Sequence, residues 1–361
     1  MKHSSKLLLV LLLIMAVGIV ACSKNETPTS PSGDLGILLS ASHPLFRAAM
    51  LIQDKNTPKL MADPDVVGTA ITAGDDGNPA IMVLVMNEKA GLGVPAKIDG
   101  VNTKVIVTDR IVAMATAAVS HTAKQTAPIQ LGTSGSWRYD LANGYCCGGT
   151  LGSLINVGGQ KRILSNYHVF ESDIVSGGNG RVATTGDPIT QPGLIDVSCN
   201  AASAQNVATL VKTSSLPNSN VDCSSATIVS GMVNTNGSIL EIGTISASTI
   251  AASVNQAVKK SGRTTGLTRS KVSGLNATIS VTYENECAGG TAFTKTFTGQ
   301  ILVTNTRSRF LGSGDSGSLM VQDVTTNPKA VGLLFAGSSS IAVANPINSV
   351  LSFFGATMVG N

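Results

Sequence analysis

The sequence predicts a mainly β protein, in which a β-rich carboxyl-terminal domain follows a small α+β domain. The 38 glycines, together with many Ser, Thr, Val and Ile residues, favour short strands and turns over long helices. Hydrophobic residues make up 43% of the 361 residues and charged residues 13%, which supplies a core and excludes a disordered chain. From residue 145 onward, short apolar runs alternate with Gly-, Asn-, Pro- and Ser-rich turns, a pattern typical of a β-sandwich or barrel.

The amino terminus has the organisation of an export signal. Lys2 to Lys6 forms a charged stretch, and the apolar run from Leu7 to Val20 contains no charge. The run ends in Ile19-Val20-Ala21-Cys22, which resembles the bacterial lipobox, where a peptidase cuts before a lipidated cysteine. Residues 1–21 are therefore predicted to be a lipoprotein signal peptide and Cys22 the lipidation site; an ordinary secretory signal or an uncleaved anchor is the alternative. The absence of Asp after Cys22 favours the outer membrane or cell surface by the same resemblance.

Three further segments precede the β-rich part. Residues 22–33 are rich in Pro, Ser and Thr and predict a flexible tether. Residues 34–115 combine one helical and several strand-like patterns, so they predict a small α+β domain. Residues 116–144 have a linker-like composition. The predicted elements of the α+β domain are a helix over 49–59 and strands over 66–72, 80–86 and 103–108.

The remaining residues, 145–361, predict a second domain made of short strands. A closing helix is expected over 345–353, where Pro346 lies near its start. The predicted strands cover residues 150–157, 162–165, 207–212, 226–229, 299–304, 319–322, 330–335 and 340–344.

Composition argues against nucleic acid, metal or cofactor binding. The formal net charge is +4, and removal of Lys2 and Lys6 with the signal leaves a chain close to neutral without a basic stripe. One Trp and four Tyr supply too few rings for a base-stacking surface. The adjacent Cys146 and Cys147 lack the spacer of a zinc knuckle, and the chain has only four His, so neither a metal nor another cofactor is predicted.

Five cysteines remain after Cys22, namely Cys146, Cys147, Cys199, Cys223 and Cys287. An exported chain can form disulfides, but the odd number leaves at least one cysteine unpaired or shared between chains. The spacing does not determine the connectivity.

The stretch Gly314-Asp315-Ser316-Gly317-Ser318 is the candidate nucleophile turn. A tight turn of small residues can expose a serine hydroxyl while directing backbone N–H groups at one point. These residue types are also ordinary in turns, so a base and an acid are needed to support the interpretation.

Of the four histidines, His168 is the candidate general base. His3 lies in the signal peptide, His43 lies before the predicted helix of the small domain and His121 lies in the linker. His168 alone shares the β-rich domain with Ser316, where we expect it at the end of an apolar strand. Such a position is also common for a histidine that is merely hydrogen-bonded.

Asp222 is the preferred orienting acid. It precedes the strand-like run from Ala226 to Val229 and stands among small residues, where a carboxylate can be buried against an imidazole. Asp196 and Asp173 are rivals, and any of the three can instead be a turn or cap residue.

The order His168, Asp222, Ser316 separates the hydrolase classes. An α/β-hydrolase places its histidine after its serine, and no histidine follows Ser316; a subtilisin-like enzyme needs an acid before the histidine. Asp140, the nearest such acid, lies in a turn-like segment.

Three motifs in this order resemble the chymotrypsin-like serine peptidases: Ser-Asn-Tyr-His-Val around His168, Val-Asp-Cys-Ser-Ser-Ala around Asp222, and Gly-Asp-Ser-Gly around Ser316. The stretches 148–152, 260–268 and 330–337 are similar to bacterial members. The resemblance covers about residues 145–356 and implies two six-stranded barrels, a His168–Asp222–Ser316 triad and an oxyanion hole made by the Gly314 and Ser316 N–H groups. Ser318, in place of a glycine, and Tyr167, in place of a small residue, depart from the pattern.

These observations predict an envelope-anchored serine endopeptidase that acts on protein or peptide substrates and is tied to the membrane through Cys22. The 34–115 domain is interpreted as a candidate pro-domain that assists folding or blocks the cleft. The alternatives are a non-catalytic binding or scaffold lipoprotein on a peptidase fold, and a structural envelope lipoprotein whose Ser, His and Asp coincide by chance.

Overall fold

The computed structural model describes residues 40–113, 121–142, 145–171, 181–283 and 293–361. The predicted signal peptide and tether, with Cys22, lie outside these residues, as do Asp173 and Cys287. No helix within the described ranges is long and apolar enough to cross a membrane.

The amino-terminal segment contains the predicted helix and strands, with their ends shifted by a few residues. Helix α1 begins earlier than expected because His43 Nδ1 accepts a hydrogen bond from the Leu45 N–H (3.3 Å) and Pro44 occupies the first turn, where its missing N–H has no cost. The elements are α1 (Pro44–Leu60), β1 (Val66–Ala73), β2 (Pro79–Val85), α2 (Glu88–Leu92), β3 (Lys97–Ile98), β4 (Val101–Val107) and β5 (Val112–Ala113).

The next elements supply the first barrel and a separate two-stranded sheet. They are β6 (Thr133–Trp137), β7 (Leu141–Ala142), β8 (Tyr145–Cys146), β9 (Gly149–Leu151), β10 (Ser153–Val157), β11 (Gln160–Ser165), α3 (Tyr167–Phe170), β12 (Pro188–Gln191), two 3-10 helices (Leu194–Val197 and Ala201–Ser203), β13 (Gln205–Val211) and β14 (Ser224–Ile228). The predicted linker, 116–144, thus contains the barrel strand β6. Its polar sequence, Thr-Ser-Gly-Ser-Trp, hides the strand because, apart from Trp137, the barrel buries small residues here rather than large apolar ones.

The last elements supply the second barrel, a separate two-stranded sheet and a final strand that pairs with β10 of the first barrel. They are β15 (Ser238–Ile239), β16 (Gly243–Thr244), β17 (Ala257–Gly262), β18 (Gly266–Tyr283), β19 (Phe293–Thr304), a 3-10 helix (Thr306–Ser308), β20 (Leu319–Gln322), β21 (Ala330–Gly337), β22 (Ile341–Pro346), α4 (Ile347–Phe354) and β23 (Ala356–Met358).

The strand pairings close two six-stranded barrels. In the first, the order is β23, β10, β11, β14, β13, β12, β6 and β9, and β9 and β10 are separated only by Gly152, so that together they act as one strand that closes the barrel. In the second, the order is β17, β20, β21, β22, β19 and β18, and β18 pairs again with β17. The mainly β, chymotrypsin-like fold predicted from the sequence is confirmed.

The first barrel needs a glycine at residue 152, between β9 and β10. A Cβ atom at this position would lie 2.0 Å from the carbonyl oxygen of Gly317, far inside van der Waals contact. At Gly152 the first barrel therefore lies directly against the backbone of the Gly314–Ser318 turn.

Strands of the amino-terminal segment continue the sheet of the second barrel. β1 is antiparallel to β18, with Gly68 opposite Ile279 and Thr69 opposite Thr278, and β2 and β4 follow outward. Gly68 permits this approach, since a Cβ atom there would lie 2.8 Å from the Thr278 carbonyl oxygen. The division into a 34–115 domain and a 145–361 domain stays a prediction, but the strands of both segments form one sheet.

Each barrel encloses apolar side chains. The interior of the first is built from fully buried residues such as Leu154, Ile163 and Val207. That of the second includes Val258, Val303 and further aliphatic residues, and it is continuous with the apolar face under α1. Burying such side chains contributes roughly 1.5–3 kcal/mol each before conformational entropy is counted.

Disulfides and one free thiol account for the described cysteines. Cys146 is bonded to Cys199, which joins β8 to the loop after the first 3-10 helix. Cys147 is also disulfide-bonded, and Cys223 is a buried free cysteine.

Candidate active site

His168 lies between the barrels on the short helix α3. The sequence placed it at the end of a strand, and the strand β11 in fact ends at Ser165, so that His168 falls in the helical turn that follows. Asn166, just before the helix, donates from its side-chain nitrogen to the carbonyl oxygen of Asp222 (2.7 Å). This bond holds the histidine turn against the chain that carries the predicted acid.

His168 and Asp222 are hydrogen-bonded to each other. His168 Nδ1 lies 2.6 Å from Asp222 Oδ2, and the Asp222 side chain is fully buried while His168 is 12% exposed. A carboxylate at Nδ1 fixes the neutral imidazole in the tautomer that carries its proton on Nδ1. Nε2 is then the basic nitrogen, which a general base requires.

Three donors stabilise the buried Asp222 carboxylate. Besides His168, the backbone N–H of Tyr167 donates to Oδ1 (2.7 Å) and the Tyr283 hydroxyl donates to Oδ2 (2.8 Å). An ionised carboxylate without water is costly unless such donors replace its hydration. The Tyr167 ring is buried in an apolar cluster with Phe335, so this residue contributes its main chain to the site.

Tyr283 is a site residue that the sequence reasoning missed. It ends the long strand β18, and its ring makes an edge contact with that of His168, with centroids 5.9 Å apart. Burial, and then the charge of Asp222, raise the pKa of the Tyr283 hydroxyl well above its usual range near 10. The hydroxyl therefore stays protonated, and remains a donor to Asp222, at neutral and mildly alkaline pH. The run of alternating polar residues before Tyr283 gave no local signal for a site.

The Ser316 turn is fixed by main-chain bonds to both barrels. The Thr150 N–H donates to the Ser316 carbonyl oxygen (2.8 Å), and the Gly317 N–H donates to the Leu334 carbonyl oxygen (3.0 Å). The Ser316 hydroxyl lies 3.4 Å from the carbonyl oxygen of Phe335, toward which it donates. The nucleophile candidate is thus held at the seam between the first barrel and β21.

Gly314 and Gly317 give this turn its shape. Their φ angles are +90° and +93°, a region that residues with a Cβ atom rarely adopt. At Gly317 a Cβ atom would also lie 2.2 Å from Ser165 Oγ and 2.4 Å from the Thr150 carbonyl oxygen. Both glycines are therefore required by the backbone as well as by space.

The main chain of the turn suits an oxyanion hole at Gly314. The N–H groups of Asp315, Gly317 and Ser318 donate to carbonyl oxygens of the protein. Within the part of the chain that the structure describes, the Gly314 N–H has no such acceptor. It is therefore available to a developing negative charge, and the oxyanion-hole role of the Gly314 and Ser316 N–H groups stays a prediction.

Ser318, which stands where the resembled motif has a glycine, donates hydrogen bonds within the turn. Its hydroxyl donates to the Asp315 carbonyl oxygen (2.6 Å), and its N–H donates to the same oxygen (3.0 Å). Gly262 leaves room for it, because a Cβ atom at Gly262 would lie 2.3 Å from Ser318 Oγ. Serine is accommodated here as an internal hydrogen-bond donor.

Asp315, which precedes the candidate nucleophile, forms a buried ion pair with Lys260. Its Oδ2 lies 3.2 Å from Lys260 Nζ, and both side chains are fully buried. Asp315 also accepts the N–H groups of Gly312 (2.9 Å), Thr264 (2.8 Å) and Thr265 (3.1 Å). Burial lowers the pKa of Lys260, and the Asp315 charge opposes this shift. The turn is thereby tied to β17 and to the hairpin that follows it.

The rival site residues have other partners. Asp196 accepts from Arg263 Nε (2.8 Å) and Nη2 (2.5 Å), which directs its carboxylate to the guanidinium. His121 Nε2 lies 2.7 Å from Glu241 Oε2, and His43 caps α1. Among the described residues, the structure therefore brings His168 and Asp222 together and leaves the rivals elsewhere.

Cys223, next to Asp222 in the chain, does not compete as a nucleophile. Burial, and then the neighbouring Asp222 charge, raise the pKa of its thiol well above the usual range. A protonated, enclosed thiol is a poor nucleophile. Across the described ranges, no cluster of three or more His, Cys, Asp or Glu side chains could hold a metal ion.

One family model and several solved structures are similar to parts of this chain. The family model described as the Nal1 C-terminal domain matches residues 197–345. Similar solved structures include a glutamic acid-specific serine protease (18% identity, TM-score 0.41, 64% of this chain and 100% of that one). Thermobifida fusca Protease A is another (20%, 0.42, 64% and 99%), as is Cellulomonas bogoriensis chymotrypsin (20%, 0.39, 64% and 99%). No curated protein sequence matches the chain.

The chain itself shows the chymotrypsin-like serine-protease fold through its two closed barrels. The histidine–carboxylate pair comes from the first barrel, and the serine turn precedes β20 of the second.

Proposed function

We propose that this protein is a serine endopeptidase, with Ser316 as nucleophile, His168 as general base and Asp222 as orienting acid. The observation that carries the proposal is the 2.6 Å bond from His168 Nδ1 to the fully buried Asp222 carboxylate. Burying a carboxylate costs more free energy than burying a neutral residue, even when three donors bond to it. Beside a histidine, such a carboxylate holds the imidazole in one tautomer. The scaffold alternative gives no reason for this arrangement and is not favoured.

The proposed reaction has two steps. Ser316 Oγ attacks the carbonyl carbon of a peptide bond while His168 Nε2 accepts the hydroxyl proton; the same nitrogen then delivers the proton to the leaving amine as the C–N bond breaks. Water attacks the resulting ester with His168 again as base, which releases the acid and restores the serine. The Gly314 and Ser316 N–H groups hold the negative oxygen in each tetrahedral intermediate.

Covalent labelling tests the nucleophile assignment. A fluorophosphonate probe reacts with an activated serine, so intact mass spectrometry is expected to show one adduct per chain and peptide mapping to place it on Ser316. The control is Ser352→Ala, which removes an exposed serine of α4 and is expected to label fully. Labelling at another residue, or none on a folded chain, would count against the proposal.

We also propose that the chain is anchored to the cell envelope by a lipid on Cys22. The lipobox-like Ile19-Val20-Ala21-Cys22 sequence after an apolar run supports this, and the Pro-, Ser- and Thr-rich tether would let the folded part stand away from the membrane. Cys22→Ser is expected to move the protein from the membrane fraction to the soluble fraction of fractionated cells. Ser23→Ala serves as the neighbouring control, and unchanged membrane association of Cys22→Ser would refute the anchor.

A further inference from the structure

One edge of β21 is shared by the nucleophile turn and by the chain's own amino-terminal segment. Leu334 on this strand exchanges main-chain hydrogen bonds with the turn, accepting from the Gly317 N–H (3.0 Å) and donating to the Ser318 carbonyl oxygen (3.1 Å). Beyond Phe335, β5 pairs antiparallel with the same strand, with Ala113 opposite Ala336 and Val112 opposite Gly337. The backbone of β5 therefore occupies the strand positions directly after those that hold the serine turn.

The direction of β5 matters for its relation to Ser316. Because the pairing is antiparallel, the chain approaches Phe335 as it runs from Val112 to Ala113, and Phe335 carries the carbonyl oxygen toward which the Ser316 hydroxyl donates. An extended peptide bound in this way would present to the serine a bond on the carboxyl side of the paired residues. β5 thus lies where the acyl part of an extended peptide substrate would pair with the strand.

Contacts outside β5 hold the segment in place. The buried Thr108 hydroxyl lies 2.7 Å from the hydroxyls of both Ser338 and Ser340. Asp109 accepts a hydrogen bond from the Ser339 hydroxyl. Residues 338–340 directly follow β21, so the anchors clamp the segment to the end of the same strand.

The other face of the segment is held as well. The Ile111 side chain is fully buried in the apolar cluster that contains Phe335, Ala336 and Tyr283. Its carbonyl oxygen accepts from the Thr282 N–H (3.3 Å), and Val112 pairs with Thr282 of β18. The segment is thus bound through its backbone, through two polar anchors and through one apolar side chain.

We propose that residues 108–113 act as an internal pseudo-substrate strand, which closes the acyl side of the cleft until it is displaced. The inference rests on the proposed function and deepens it, since it assigns a regulatory role at the same site to residues 108–113. In the described conformation, β5 and an extended peptide paired with Ala336 and Gly337 exclude each other because they need the same backbone groups.

Peptide binding tests the occlusion without requiring catalysis. Thr108→Val with Asp109→Ala removes the polar anchors and keeps the backbone, while Val112→Pro removes a strand N–H. In a Ser316→Ala background, we expect the loosened chains to bind a fluorescent peptide with the sequence of residues 108–113 about tenfold more tightly than the unloosened chain, because more molecules are open. Fluorescence anisotropy measures this affinity. Lys55→Ala, which breaks an exposed ion pair with Asp99 in the same amino-terminal segment, is the matched control and is expected to change nothing.

The same variants with Ser316 intact separate this inference from the proposed function. If the chain is an occluded peptidase, both the rate of fluorophosphonate labelling and the hydrolysis of extended peptides rise in the loosened chains. Equal peptide affinity in all chains would overturn the occlusion, even if Ser316 labels normally. Tighter peptide binding without labelling in any chain would uphold the occlusion and overturn the peptidase. If Val112→Pro does not fold by circular dichroism, the Thr108→Val, Asp109→Ala chain decides the result.

Discussion

Replacing Ser316 by alanine is expected to lower turnover of a peptide substrate by on the order of a million-fold, because a triad acts as one unit. The residual rate then comes from the Gly314 side of the oxyanion hole and from substrate binding, both of which the substitution leaves in place. Turnover is measured on a chain loosened at Thr108 and Asp109, so that occlusion does not mask the effect. Substrate binding is expected to change little, because Ser316 makes its new bond only after the substrate is seated.

The partners of Ser316 sharpen this prediction. Asp222→Asn keeps the shape of the buried side chain but offers an amide to His168 Nδ1, which favours the wrong tautomer, so a loss of about ten-thousand-fold in turnover is expected. Combining it with Ser316→Ala is expected to cost hardly more than Ser316→Ala alone. Independent, multiplying losses would show that the 2.6 Å contact is structural. Ser352→Ala controls for serine removal, and an active Ser316→Ala chain would contradict the assignment outright.

The sequence predicts a triad of His168, Asp222 and Ser316, which stays a prediction, because each residue lies in a short local motif. Gly314 and Gly317 mark the serine motif in the sequence. Their positive φ angles, and at Gly317 also the crowding, permit little other than glycine. The order of His168, Asp222 and Ser316 then selected one fold among several hydrolases. Residue type and order along the chain carried this information, and no tertiary contact was needed to read it.

Features that depend on distant pairing escaped the sequence. β18 runs from Gly266 to Tyr283 and contains many polar residues. It pairs with several strands and is partly exposed along its length, so no regular apolar pattern marks it in the sequence. Its end nevertheless delivers Tyr283 to Asp222, a contact between residues 61 positions apart. The pairing of β5 with β21 joins residues more distant still, and two residues of strand have no periodicity to detect.

The small α+β domain shows what hydrophobic patterning does not reveal about a sheet. Its helix and strands were predicted from hydrophobic patterning, which reports that one face of each element is buried but does not identify the partner. Here β1 lies against β18 of the second barrel, so the strands extend a larger sheet. Close approach at Gly68 marks this contact, but an isolated glycine in a strand is equally compatible with a bulge.

Breaking the Lys260–Asp315 ion pair is expected to give the largest loss of stability in the molecule. Lys260→Met leaves the Asp315 charge fully buried without its cation, and removing one partner of a buried pair typically costs about 3–5 kcal/mol of unfolding free energy. Asp315→Ala is expected to cost at least as much, because the N–H groups of Gly312, Thr264 and Thr265 lose their acceptor too and the uncompensated Lys260 is left behind.

Guanidinium unfolding measures these losses. Circular dichroism follows the whole chain, and the fluorescence of Trp137, the single tryptophan, reports on the first barrel, where it is 2% exposed. Lys55→Ala is the control, since it breaks an exposed ion pair at 2.9 Å and is expected to cost no more than about 1 kcal/mol. Equal losses for Lys260→Met and Lys55→Ala would show that the buried pair does not hold the fold.

The same pair connects stability to the proposed chemistry. Asp315 accepts N–H groups from the turn after β17 and from Gly312, and it directly precedes Ser316, so a displaced Asp315 carries the serine and the Gly314 N–H with it. A shift of about 1 Å at such a site is enough to cost roughly a hundredfold in rate. Lys260→Arg, which keeps the charge but lengthens the group, is therefore expected to retain more stability than Lys260→Met while still losing turnover. Full turnover in Lys260→Met, measured well below its unfolding midpoint, would show that the turn holds its shape without the pair.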